Sequence, residues 1–144
     1  MDAPLATASV FSRLANEPGR ALLTVRGQHF AADSPPPLGG PNESVNPVEL
    51  LLAALAACGT FICETVASEQ GIPLHSVSVT AAGDFDPRGV CGEPIDPRFQ
   101  AFRVRLALKG PDLAQREALL AAFKARCPVY ATLARAAPVE VTLA

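Results

Sequence analysis

Tryptophan is absent from the 144-residue chain, and aromatic residues of all kinds make up only 6% of it. That scarcity leaves no platform on which successive bases could stack. An excess of positive charge is missing too. The net charge of −2 gives no electrostatic grip on nucleic acid or on an anionic membrane. The opening MDAPLATASVFSRLANEPG lacks the basic start and continuous apolar run of a secretory signal. A cytoplasmic protein is therefore expected, with neither nucleic acid nor membrane among its partners. No Cys-x-x-Cys or His-x-x-x-His spacing occurs, which disfavours a metal site built from cysteines with His29 or His75. Both histidines read as strand-edge residues, and no cofactor is called for. Gly39-Gly40 is not followed by Lys-Ser or Lys-Thr, so a phosphate-binding loop is set aside. No repeat, linker or low-complexity block divides the chain, and residues 1–144 read as one domain.

What is present centres on the stretch from Gly39 to Gly71. Asn46 suits an N-cap, because its side-chain oxygen can accept an orphan amide proton of the first turn. Pro47 suits the first helical position. Glu49 has capping-box spacing from Asn46 and puts negative charge at the positive end of the dipole. From Leu50 to Ile62 there is no charge, and Ala53, Ala54, Ala56 and Ala57 permit close backbone approach. A helix apolar on every side is expected to be buried. Between Pro47 and Glu64 the segment is short and rich in small residues for a membrane span, so it reads as the core helix of a soluble domain.

Around it, a short strand is expected near Ala8–Leu14. Ala21–Val25 and Gln28–Ala32, separated by Arg26-Gly27, suggest a hairpin. Asp33–Asn46, with three consecutive prolines, is a loop. Gly71-Ile72-Pro73 stops the long helix. Val77, Val79 and Ala81 alternate with polar or small residues as in a half-buried strand. Asp84–Phe99 is a polar connection. Phe102, Val104, Leu106 and Leu108 alternate with Arg103, Arg105 and Lys109, giving a second one-sided strand whose basic stripe faces solvent. Pro111 opens a second helix ending near Arg126, a short helical stretch covers Val129–Arg135, and Pro138–Ala144 is a closing strand. Helices and antiparallel strands follow one another in blocks, which makes the fold class α+β.

Four cysteines (Cys58, Cys63, Cys91, Cys127) in a chain without a secretory signal point to thiol chemistry over structural staples. Cys127 precedes Pro128. With Pro128 first in a helix, its sulfur faces unpaired amide protons, an environment that favours thiolate. Lys124 and Arg126 would add positive charge if turned inward. Cys58 stands twelve residues into an apolar helix, where its surroundings raise the thiol pKa. From the pattern alone, an inert core thiol is the plainer reading of Cys58. Cys63 lies about 140° further round the helix and does not share its face. Cys91 sits in a Gly/Pro loop, an exposed bystander.

The run NPVELLLAALAAC, the preceding ADSPPPLGG and the distant CPVYATL together resemble the OsmC/Ohr family of osmotically inducible and organic hydroperoxide resistance proteins. The likeness runs in order from about Gly27 to Ala144. It implies an intertwined homodimer in which long buried central helices are wrapped by antiparallel sheets. It also implies a cysteine-based peroxidase that reduces organic hydroperoxides and is recycled by an external dithiol. By position Cys58 matches the attacking cysteine and Cys127 the resolving one. Arg20 is the nearest match to the family's arginine, with Arg26 second, and Glu49 is the candidate carboxylate. One departure stands out. Val48 occupies the place after Asn-Pro where the hydroperoxide resistance branch has glutamate, and Glu49 comes one residue later, ~100° round the helix. This is the pattern of the OsmC-like branch. It leaves open a second function, a non-catalytic dimer binding a small apolar ligand.

Overall fold

The computed structural model describes residues 3–144, and contacts within the chain gather into two compact units. The first holds residues up to Leu50 together with Pro87–Ile95, and the second holds Leu51–Asp86 and Asp96–Ala144.

The first unit is built on an antiparallel sheet of β1 (Phe11–Leu14), β2 (Arg20–Val25) and β3 (Gln28–Asp33), side by side in that order. The hairpin expected at Arg26-Gly27 forms. Both residues have positive φ (48° and 78°), the two-residue turn whose twist suits the flanking strands. Its length fixes the register, which sets Ala21 against Ala32 and Arg20 against Asp33. β1 starts at Phe11, later than the expected Ala8. The proline-rich loop contains one 3₁₀ turn, Pro36–Leu38.

Helix α1 spans Pro47–Gln70. Its start is the capping box expected from sequence. The Glu49 amide donates to Asn46 Oδ1 and the Asn46 amide donates to Glu49 Oε2, both at 2.9 Å. It ends at Gly71 (φ 65°), where the amide of Gly71 reaches back to Ser68 O and that of Ile72 to Ala67 O, the paired closure that satisfies the last carbonyls.

In the second unit β4 (Ser76–Asp84) pairs antiparallel with β5 (Ala101–Lys109), Ser76 opposite Lys109 and Asp84 opposite Ala101. Helix α2 (Leu113–Arg126) starts two residues later than the expected Pro111. Asp112 caps it, in a reciprocal box with Gln115. Helix α3 (Pro128–Ala134) follows after the single residue Cys127. Alternating burial along β5 sends Phe102, Val104, Leu106 and Leu108 toward the helices and leaves its basic stripe exposed, Arg103 paired with Asp84.

Two expectations are corrected. Pro138–Ala144 forms no strand and lies exposed, because no strand of the described chain stands beside it to pair with its backbone. Nor is α1 covered on every side. Leu55, Gly59, Cys63, Val66 and Ala67 are buried, whereas Phe61 is 63% exposed. The reason is geometric: the second unit offers one two-stranded sheet and the α2–α3 arm, enough to cover one face of a helix. At 24 residues α1 is long and apolar enough to cross a membrane, where the sequence predicts a segment too short and too rich in small residues for a span. Its packed face is that of a core helix.

Candidate functional site: a cysteine pair beside an apolar chamber

Cys127 ends α2 and caps α3. With Pro128 at the first helical position, the Cys127 sulfur accepts the amide of Tyr130 at 3.3 Å, the N-cap geometry expected from sequence. Cys58 reaches the same place from the middle of α1. The two cysteines are sixty-nine positions apart along the chain, yet their sulfurs stand 2.7 Å apart, within hydrogen-bond reach of each other. A disulfide would need about 2.0 Å, so a small shift closes the remaining gap. Both are free thiols; Cys127 is buried and Cys58 half-buried.

The Cys58 thiol is pushed up to about 11. Burial is the chief cause, followed by the adjoining Cys127 sulfur, beside which a further negative charge is unfavourable; the Val129 amide works weakly the other way. Arg126 does not turn toward the sulfurs but pairs with Glu69 at 2.6 Å. Cys63 packs with Val66, Ala67 and Leu119 in a separate part of the core, where burial raises its thiol, and Cys91 is exposed. The helix thus keeps Cys58 and Cys63 on different faces, as their spacing requires.

Leu55, Phe123 and Cys127 form the buried heart of the pair's surroundings, with Val104, Val129, Tyr130 and Leu133 packed on them. Gly59, one residue past Cys58, makes this packing possible. A Cβ there would sit 3.3 Å from the Phe123 ring and 3.4 Å from Val79. Leu55, Phe123 and Tyr130 also line a chamber of about 260 Å³, together with Phe102, Val104, Leu106, Leu120 and Leu133, with Lys124 as its charged member. Leu55 of α1 lines this chamber, whereas Leu51 and Phe61 of the same helix are exposed.

Arg20 and Glu49, both in the first unit, are not brought together. Arg20 makes a two-pronged pair with Asp33, 2.8 and 2.9 Å, and reaches Glu43 at 3.2 Å. Asp33 is 1% exposed and also accepts the amides of Glu43 and Ser44. The Arg20 guanidinium holds the Asp33 carboxyl well below the usual carboxylate range, the two amides assisting. Glu49 is occupied with capping α1 and has no part in holding the arginine. Arg26, the second candidate, is exposed at the tip of the hairpin. Asp33 went unnoticed in the sequence because it opens a proline-rich loop. A signal was there nonetheless: counting six residues outward from each member of the Arg26-Gly27 turn sets Arg20 against Asp33.

A capped alanine-rich helix carries Cys58, a Cys-Pro helix start meets it, and the chain also forms two antiparallel sheets. A family model for OsmC-like proteins matches residues 40–142, most of the chain. The chain belongs to the OsmC family. Solved structures share the OsmC fold along nearly their whole length. An OsmC-like protein from Mycoplasma pneumoniae superposes with a TM-score of 0.75 at 16% identity, covering 91% of this chain and 89% of that one. An organic hydroperoxide resistance protein OsmC from Legionella pneumophila gives 0.68 at 26% identity, with 93% of each chain covered. An organic hydroperoxide resistance protein from Elizabethkingia anophelis gives 0.66 at 21% identity, covering 92% and 91%. No curated protein sequence matches this OsmC chain significantly.

Proposed function

We propose that this OsmC-family protein is a thiol peroxidase that reduces organic hydroperoxides through Cys58 and Cys127. The observation that carries the reading is the 2.7 Å approach of two sulfurs sixty-nine residues apart, next to an apolar chamber. An inert core cysteine has no need of a second thiol at its sulfur. The Legionella relative, described as an organic hydroperoxide resistance protein, supports the same substrate class.

The chemistry balances in three steps. Cys58 thiolate attacks the distal oxygen of R–OOH, the O–O bond breaks, and the alkoxide leaves and takes up a proton as alcohol, with Cys58 left as sulfenic acid. The Cys127 sulfur then attacks the sulfenic sulfur, forming the disulfide and expelling water. An external dithiol reduces the disulfide by exchange and is itself oxidised. Arg20 receives the role of stabilising charge from the family resemblance, with Asp33 and Glu43 fixing its guanidinium. The proposal includes a cytoplasmic homodimer. The exposed face of α1 supports a second subunit, since a helix this apolar is more stable covered.

The test is oxidation by one equivalent of cumene hydroperoxide. Two thiols should vanish together, the subunit mass should fall by two hydrogens, and the linked peptides should carry Cys58 and Cys127, with Cys63 and Cys91 still alkylatable. Survival of all four thiols in excess peroxide would refute the peroxidase. The chamber supports a second reading, a binding protein for a small apolar molecule, which predicts no consumption of dithiol when peroxide is added.

A further inference from the structure

Gly83 and Phe102 face each other across β4 and β5. Cross-strand partners point to the same face, so Phe102 stands beside a position with no side chain. Phe99 fills it: a Cβ on Gly83 would fall 2.5 Å from two atoms of the Phe99 ring and 3.3 Å from Phe102. The Phe99 ring lies 4.6 Å from that of Phe102 at a 36° tilt, and Phe85 abuts Phe99 edge-on at 5.3 Å. Three rings thus form a continuous stack whose inner member, Phe102, is a wall of the chamber and packs, as Cys58 does, on the buried cluster of Leu55, Phe123 and Cys127. The opposite side of the chamber is different. Val104, Leu106 and Leu120 line both it and a wider groove along β5 and α2, whereas Phe102 lines the chamber and not that groove.

We propose that Phe102, fixed by Phe99 seated over Gly83, is the specificity-determining wall of the site and limits the bulk of the hydroperoxide tail admitted beside Cys58. The chamber's 260 Å³ falls short of the roughly 300–1,000 Å³ of most ligand sites, so a rigid wall decides between compact and bulky tails. Phe102 acts by contact with the tail, and Phe99 and Gly83 are positioning residues that act through it. Each ring of the stack is held by the next, Phe102 by Phe99 and Phe99 by Phe85.

This inference rests on the peroxidase reading, and the experiment separates the two. The kcat/KM for compact tert-butyl hydroperoxide and for bulky diisopropylbenzene monohydroperoxide is measured on wild type, Phe102→Ala, Phe102→Leu and Gly83→Ala. Because the result is a ratio on one preparation, a loss of folded protein cancels. Phe102→Ala should raise the bulky-to-compact ratio about tenfold, through KM, the scale on which an apolar pocket discriminates. Phe102→Leu should give a smaller rise. Gly83→Ala, which lines nothing but displaces Phe99, should move the ratio in the same direction. A ratio unchanged or lowered in Phe102→Ala overturns the proposal. If wild type consumes no peroxide, the peroxidase reading falls alone. The wall is then tested by calorimetric binding of the two corresponding alcohols to wild type and Phe102→Ala, where the same tenfold shift supports it and an unchanged ratio overturns it.

Discussion

A Cys58 thiol lifted to about 11 makes the pH dependence of its reactivity steep and unusual in shape. Only thiolate is nucleophilic. At pH 7 about one Cys58 in ten thousand would be ionised, at pH 9 about one in a hundred, and at pH 10 about one in eleven, using ordinary thiol titration with that value. Alkylation by iodoacetamide at a fixed low concentration should therefore accelerate about ninefold between pH 9 and pH 10. An unperturbed thiol near 9 would gain less than twofold over the same interval, being already half ionised at its start. Quenching at intervals and mapping the Cys58 peptide by mass spectrometry reads the rate at this one site. Cys127→Ser removes the adjoining sulfur and leaves burial, the larger cause, in place, so Cys58 should react up to about tenfold faster at neutral pH but remain slower than an exposed thiol. A rate that levels off below pH 9, or a Cys58 that reacts more slowly in Cys127→Ser than in wild type, would refute this reasoning. It would mean that the Cys127 thiol stabilises the Cys58 thiolate by donating to it.

Other outcomes follow from the same geometry. Because the folded Cys58 holds its proton more tightly than the usual thiol near 9, the folded state binds more protons in this range. Its contribution to stability is full below about pH 9 and should be lost as pH rises toward 11, visible as a falling urea midpoint that Cys58→Ser flattens. Asp33 is shifted the other way. Its contribution is full above the ordinary carboxylate value and lost as pH falls through the depressed one, so Asp33→Asn should lower Tm at pH 7 and shrink the difference from wild type in strong acid. Leu119→Ala, at a fully buried position, should cost about 2–5 kcal/mol in urea unfolding without changing which cysteines pair under peroxide. In Cys127→Ser, peroxide should leave a dimedone-reactive sulfenic acid on Cys58 that then over-oxidises.

Legibility from sequence tracked how local each cause is. The ends of α1 were readable because Asn46, Pro47, Glu49 and Gly71 act within one turn of backbone. The β2–β3 hairpin was readable because Arg26-Gly27 sets its own dihedrals. β5 declared itself by alternation. The half-bare face of α1 was not readable, because composition tells how apolar a helix is and not how much neighbouring chain exists to cover it. The strand expected at Pro138–Ala144 failed for a related reason, since alternation supplies side chains to a sheet but cannot supply a partner. At the site, Cys127's cap was local and therefore foreseen. Its meeting with Cys58 depends on how α1, β5 and α2 pack, and pattern alone favoured an inert Cys58.

The separation of Cys58 and Cys127 along the chain ties oxidation to folding. A covalent link between residues sixty-nine apart would restrict the unfolded chain, and by loop-closure entropy would stabilise the folded state by about 4 kcal/mol. Thermodynamic cycles run both ways. The same free energy is the amount by which the fold favours the disulfide over its formation in the unfolded chain, about a thousandfold in effective concentration of one thiol for the other. The oxidised chain would be the harder one to unfold, and the unfolded chain the easier one to reduce. Any condition that loosens the packing of α1 on the α2–α3 arm would then also shift the protein's redox poise. A reducing dithiol that acts slowly on the native disulfide would act readily on a protein already losing its structure.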